Sequence, residues 1–212
     1  MSIRKLDQKV IRNAASELAN RDPTLGKVLE ELGPPPLWKR PATFATFVRI
    51  VLEQQVSLDS ARMTYERLSK AVQGSVVPKA IAKLGESDLR SLGFTRQNAR
   101  YVSTLARDVL AGDFRIGSLP RLDDQTVREK ITARLGLGDW TADVYLMMAL
   151  LRPDVVPLGD LALIKGCEEL FGKEFDRDSL ASLAETWRPY RSVATRMIWQ
   201  SYLDRRGRKF KT

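Results

Sequence analysis

Histidine is absent from the 212 residues, and cysteine occurs once, at Cys167. These shortages exclude an intramolecular disulfide, a Cys/His zinc site, a histidine-based triad and a four-cysteine iron–sulfur cluster. Any acid or base acting in this chain is a carboxylate, a lysine or a tyrosine. Long apolar runs are missing too. Nothing approaches the roughly 18 to 20 residues of a membrane span, and Met1 to Val10 alternates charges without the apolar stretch of a secretion signal. The expectation is an intracellular protein without membrane association, cofactor or metal. Convincing strand patterns are lacking as well.

What the chain has in excess is positive charge. Lysine and arginine number 35 against 26 aspartates and glutamates, a formal charge of +9 with a pI near 9.8. A polyanionic partner, nucleic acid first, is the leading expectation, although surplus surface lysine and arginine would give the same totals. A hydrophobic fraction of 43% suffices for one large domain or two small lobes with a buried core.

Helical periodicity dominates. Val102, Leu105, Ala106, Val109 and Leu110 recur at the i, i+3, i+4, i+7, i+8 spacing of one buried stripe. Helices are predicted near 4–19, 23–32, 42–55, 58–73, 78–84, 86–91, 96–111, 123–135, 139–151, 161–171, 179–186 and 189–204, an all-α fold. Gly33 with Pro34, Pro35 and Pro36 stops one helix, and Gly74, Gly93, Gly112 and Gly172 stand where C-caps belong. Phe44 to Val56 and Thr141 to Leu151 are apolar almost all round, which marks two central helices. The basic tail Arg205, Arg206, Arg208, Lys209 and Lys211 reads as a solvated end.

Two segments carry candidate chemistry. In Ile131-Thr-Ala-Arg-Leu-Gly-Leu-Gly-Asp-Trp-Thr-Ala142 one helix ends at Gly136-Leu137-Gly138 and another starts at once. Such a turn is an ordinary helix connection, or a cradle in which backbone N–H groups and the positive helix end meet a phosphate. In Arg152-Pro-Asp-Val-Val-Pro-Leu-Gly-Asp160 the final aspartate precedes an apolar helix. It fits an N-cap worth about 1 kcal/mol, or a functional carboxylate.

The order of these segments resembles a known pattern. Leu135-Gly-Leu-Gly-Asp-Trp-Thr-Ala142, followed by Pro157-Leu-Gly-Asp160-Leu-Ala-Leu, is similar to the hairpin and catalytic-aspartate signature of the helix-hairpin-helix DNA glycosylase superfamily, nearest to the DNA-3-methyladenine glycosylase II type. Glu53-Gln-Gln-Val-Ser57 and Trp187-Arg-Pro-Tyr-Arg-Ser-Val-Ala194 through Trp199 fall in the family's order, so the resemblance covers roughly residues 41 to 204.

The resemblance implies two helical lobes with the active site in the cleft between them: a central lobe of about 42–155 containing the hairpin at 123–151, and a second lobe of about 1–41 plus 156–212. It implies hydrolysis of the N-glycosidic bond of alkylated purines, of the 3-methyladenine and 7-methylguanine type, flipped from double-stranded DNA by a monomer. Asp160 would be the catalytic carboxylate. Gly136, Leu137, Gly138, Thr141, Gln54 and Gln55 would meet DNA, Gln55 as the intercalating side chain. Trp140, Trp199 and Tyr145 would form the pocket for a cationic base.

The superfamily's lyase branches place a nucleophilic lysine where this chain has Trp140, and a tryptophan cannot form a Schiff base, which implies a monofunctional hydrolase. The chain also departs from the pattern. Only about forty residues precede the match, Asn98 stands where relatives often show lysine, and Gly159 rather than a second acid precedes Asp160. The rival readings are a non-catalytic module that binds damaged DNA and a glycosylase for oxidised or mismatched bases.

Overall fold

A computed structural model of the chain describes residues 5–54 and 57–208. Among the described residues the regular structure is entirely helical: α1 (Gln8–Arg21), α2 (Pro23–Leu32), α3 (Phe44–Glu53), α4 (Leu58–Ala71), α5 (Pro78–Ser91), α6 (Arg96–Ala111), a 3-10 turn (Ile116–Arg121), α7 (Asp124–Thr132), α8 (Asp139–Met148), α9 (Leu161–Phe171), α10 (Arg177–Glu185) and α11 (Arg191–Asp204). The all-α expectation holds, with local differences that have physical causes. Helix α1 starts at Gln8 rather than near residue 4 because the Asp7 carboxylate accepts the Val10 N–H at 2.8 Å. The two helices predicted at 78–84 and 86–91 are both present within α5, separated by a non-helical break at Gly85, φ 73° and ψ 173°. The 3-10 turn, which contains Gly117 and Pro120, has no periodic signal in the sequence to mark it.

The chain divides into two compact units, Pro41–Tyr145 and Met1–Arg40 with Leu146–Thr212. The second boundary therefore falls inside α8 and not near 155 as expected. The last carbonyls of α8 explain this: Leu146 O accepts the Arg152 N–H at 3.0 Å and Met148 O the Arg40 N–H at 2.9 Å, while Met147 O accepts Arg196 Nη2 at 2.6 Å. All three donors belong to the same unit as the carbonyls they cap. Leu151, at φ +58°, prevents the helix from continuing to the predicted end.

In the 41–145 unit the core centres on α3, whose Phe47, Val48, Ile50 and Val51 are fully buried. The Phe47 ring stacks on Tyr145 at 4.2 Å and 16° and meets Phe114 edge-on at 5.5 Å. In the other unit α11 is the central helix, buried from Ser192 to Trp199. Gly166 of α9 lets it approach α11 closely, since a Cβ there would come within 2.6 Å of Ile198 Cγ2. Arg196 is wholly buried and donates to three carbonyls, Met147 O at 2.6 Å, Ser192 O at 2.8 Å and Leu37 O at 3.3 Å. Burial pushes its pKa down to about 10.

Candidate functional site

In the 41–145 unit, the turn between α7 and α8 is held from several sides. Gly136 takes φ +77°, and a Cβ on it would collide with the Tyr101 ring of α6. Here glycine is required by the backbone and by the neighbour at once. The Gln54 side chain, at the C-terminus of α3, donates from Nε2 to Gly136 O at 2.9 Å and to Thr141 Oγ1 at 3.1 Å. Arg128 of α7 pairs with Asp143 of α8 at 2.8 Å, and Arg134 reaches Asp108 of α6 at 3.4 Å. Leu137 plugs the turn into the core, 2% exposed.

Gly138 is different. It is exposed, has no positive φ, and a Cβ there would meet nothing within 4 Å. The first bond of α8 runs from Ala142 N to Gly138 O at 3.1 Å, so Gly138 occupies the cap position, with the positive end of the helix beside it. Among the described residues no neighbour requires a glycine here, and the space beside the helix start is open.

The second group lies in the other unit. Asp160 is buried, caps α9, and through Oδ1 accepts the Leu163 N–H at 2.7 Å and Trp199 Nε1–H at 3.0 Å. The Trp199 ring is 6.4 Å from that of Trp38. Trp38 carries φ +46°, unusual for a bulky residue, and its predecessor Leu37 is fixed by Arg196. The loop leading to Asp160 is pinned at Asp154, which accepts Arg191 Nε at 2.8 Å and Arg188 Nη1 at 2.9 Å. Ser192 adds a pair of bonds to Val155, accepting its N–H at 3.1 Å and donating to its carbonyl at 3.0 Å.

The sequence-predicted residues thus fall into two groups. The structure brings Gln54, Gly136 and Thr141 together in one unit and Asp160 with Trp199 in the other. Trp140 is half-buried in the first turn of α8. Gln55 lies outside the described residues.

Three of these residues make contacts within the protein that no signal in the sequence marks. Gln54 binds the hairpin through Nε2. Leu137 is a core anchor whose N–H goes to Arg134 O at 3.1 Å, leaving neither its side chain nor its amide directed to a ligand. Tyr145 is 0% exposed and its ring is stacked in the core rather than open to a ligand; its hydroxyl has no partner among the described residues, and burial raises its pKa above the ordinary value. Sequence reasoning missed Trp38 and Tyr101. Neither stands at a periodic position that would single it out. Among the described residues no cluster of Asp, Glu or Cys is arranged to hold a metal.

Comparison with known proteins adds to this geometry. A family profile described as HhH-GPD superfamily base excision DNA repair protein matches residues 48–191. The chain is 28% identical over 187 residues to YfjP of Bacillus subtilis, whose name assigns it provisionally to the DNA-3-methyladenine glycosylases; the alignment covers 84% of this chain and 65% of that protein. The chain therefore spans slightly less than two thirds of that relative's length. The crystal structure of a DNA-3-methyladenine glycosidase from Bacillus halodurans is similar with a TM-score of 0.75 and 28% identity, covering 89% of this chain and 88% of that one. The Schizosaccharomyces pombe 3-methyladenine DNA glycosylase Mag1, solved with abasic DNA, shares the fold with a TM-score of 0.82 at 22% identity, covering 89% and 95%.

Proposed function

The chain belongs to the HhH-GPD superfamily of base excision DNA repair proteins, and from that premise we propose that it is a monofunctional glycosylase hydrolysing the N-glycosidic bond of alkylated purines in double-stranded DNA, with Asp160 as the catalytic carboxylate. The observation that carries this reading is the buried, fixed carboxylate of Asp160, held through one oxygen by a backbone N–H and an indole N–H. A carboxylate so placed is pre-organised to face positive charge without reorganising.

Alkylation at purine N3 or N7 makes the base cationic and a good leaving group. As the C1′–N bond breaks, its electron pair neutralises the base and leaves an oxocarbenium sugar. The Asp160 carboxylate stabilises that cation and orients the water that attacks C1′, and the water's proton passes to the carboxylate and then to solvent. No separate acid is required, in keeping with a chain that has no histidine. Trp199 both donates to Asp160 and belongs to the aromatic group that would receive the cationic base. Trp140 takes the place of the lyase lysine, so the product is an abasic site in an unbroken strand. The exposed cap of α8 at Gly138 supports phosphate binding by the hairpin.

Single-turnover base release from methylated duplex DNA tests this. The wild type is expected to free methylated purines and to give strand breaks only after alkali. Asp160→Asn keeps a cap acceptor, and its release rate is expected to fall by on the order of 1000-fold while DNA binding persists. Release at the wild-type rate by Asp160→Asn would reduce the carboxylate to a helix cap. Tight binding with no release by the wild type would mark a protein that binds damaged DNA without cutting a bond.

A further inference from the structure

We propose that Gln54 is a positioning residue that acts on DNA only through the hairpin, by locking Gly136 and Thr141 into the geometry that presents the cap of α8. The inference rests on the proposed role of the hairpin as the phosphate-binding element. Gln54 stands at the C-cap of α3 with extended backbone (φ −67°, ψ 121°), and its own N–H is used on Val51 O at 3.2 Å. Its side-chain amide faces Gly136 O at 2.9 Å and Thr141 Oγ1 at 3.1 Å. A carbonyl oxygen only accepts, so the amide must present its NH2 group there, and both donor hydrogens are consumed. Thr141 is 1% exposed, which keeps the second bond out of competition with water.

The two acceptors flank the turn: Gly136 precedes Leu137-Gly138, and Thr141 lies in the first turn of α8. Gln54 therefore spans the point at which the chain reverses. The Tyr101 ring blocks one side of Gly136, the buried Leu137 side chain anchors the tip, and the bond from Leu137 N to Arg134 O closes the turn. The Gly136 carbonyl itself is held by Gln54 Nε2 at 2.9 Å. Rotation of that peptide would carry Gly138 and the first N–H groups of α8 with it.

A double-mutant cycle on duplex DNA binding separates this role from direct contact. Gln54→Met keeps the length and removes both donors; Thr141→Val removes one acceptor; Thr141→Ser retains it. Each is measured for affinity to undamaged and methylated duplex, for base release at saturating DNA, and for its urea midpoint.

Gln54→Met is expected to weaken binding about tenfold, the worth of one or two hydrogen bonds. Thr141→Val should weaken it less, the double variant no more than Gln54→Met alone, and Thr141→Ser should bind as the wild type. The loss should fall on affinity rather than on the release rate at saturating DNA. Additive effects, or a Thr141→Val variant at wild-type affinity beside a weakened Gln54→Met, would mean that Gln54 touches DNA itself and would overturn the inference alone. Unchanged affinity in every variant would overturn it too, leaving Gln54 as packing. A wild type that fails to bind duplex DNA would overturn the reading of the hairpin and this inference with it.

Discussion

The two units present their candidate residues by opposite means. In Pro41–Tyr145 the exposed feature is backbone: a glycine cap and the start of a helix, with side chains from α3, α6 and α7 bracing it from behind. In the unit holding Asp160 the feature is a side chain, and the bracing comes from an indole, a backbone N–H and a loop tied by Arg191 and Arg188. Backbone features tolerate almost any side chain that does not intrude. A carboxylate, by contrast, depends on the identity of each group that holds it.

The sharpest test of this contrast is a pair of glycines two residues apart. Gly136→Ala meets both an unfavourable φ of +77° and the Tyr101 ring. It is expected to cost roughly 2 to 4 kcal/mol of stability, seen as a lower urea midpoint and lost DNA binding. Gly138→Ala meets no atom within 4 Å. It should unfold like the wild type and yet bind duplex DNA several-fold more weakly, because the added methyl occupies the space an approaching phosphate needs. Equal stability losses at the two positions would break the distinction between an internal and an external glycine.

Trp199→Phe probes the other unit with a smaller expected effect. The ring is largely kept, and the N–H that reaches Asp160 Oδ1 at 3.0 Å is removed. The release rate at saturating DNA is expected to fall by roughly tenfold, the equivalent of one hydrogen bond to a charged acceptor, with DNA affinity nearly unchanged. A loss confined to affinity would instead make Trp199 a wall for the base alone.

This difference between the units also governs how much was legible in the sequence. Glycine spacing, an abrupt change from one helix to the next and an aspartate before an apolar helix are local signals that mark two segments, but each also fits an ordinary turn or cap, and only the resemblance assigns them roles. The partners were less visible. Gln54 meets Gly136 across 82 positions and Trp199 meets Asp160 across 39, distances over which periodicity carries no information. Trp38 lies in the Pro-rich stretch after α2, where no pattern exists to place it. An aromatic near the hairpin looks the same in sequence whether its ring faces a ligand or, as Tyr145 does, Phe47.

That last case supplies the smallest expected effect. The Tyr145 side chain is fully buried, its ring is stacked on Phe47, and its hydroxyl has no partner among the described residues. A buried hydroxyl without a partner lost its bonds to water on folding and regained nothing, so its removal relieves a cost while the ring packing is kept. Tyr145→Phe is therefore expected to leave the urea midpoint unchanged or to raise it, by at most about 1 kcal/mol. A base-contacting tyrosine would behave differently: loss of its hydroxyl would leave stability alone and lower affinity for methylated DNA relative to undamaged DNA. If Tyr145→Phe instead lowers the midpoint, the hydroxyl is bonded inside the core and the packing description of this unit needs a polar contact added to it.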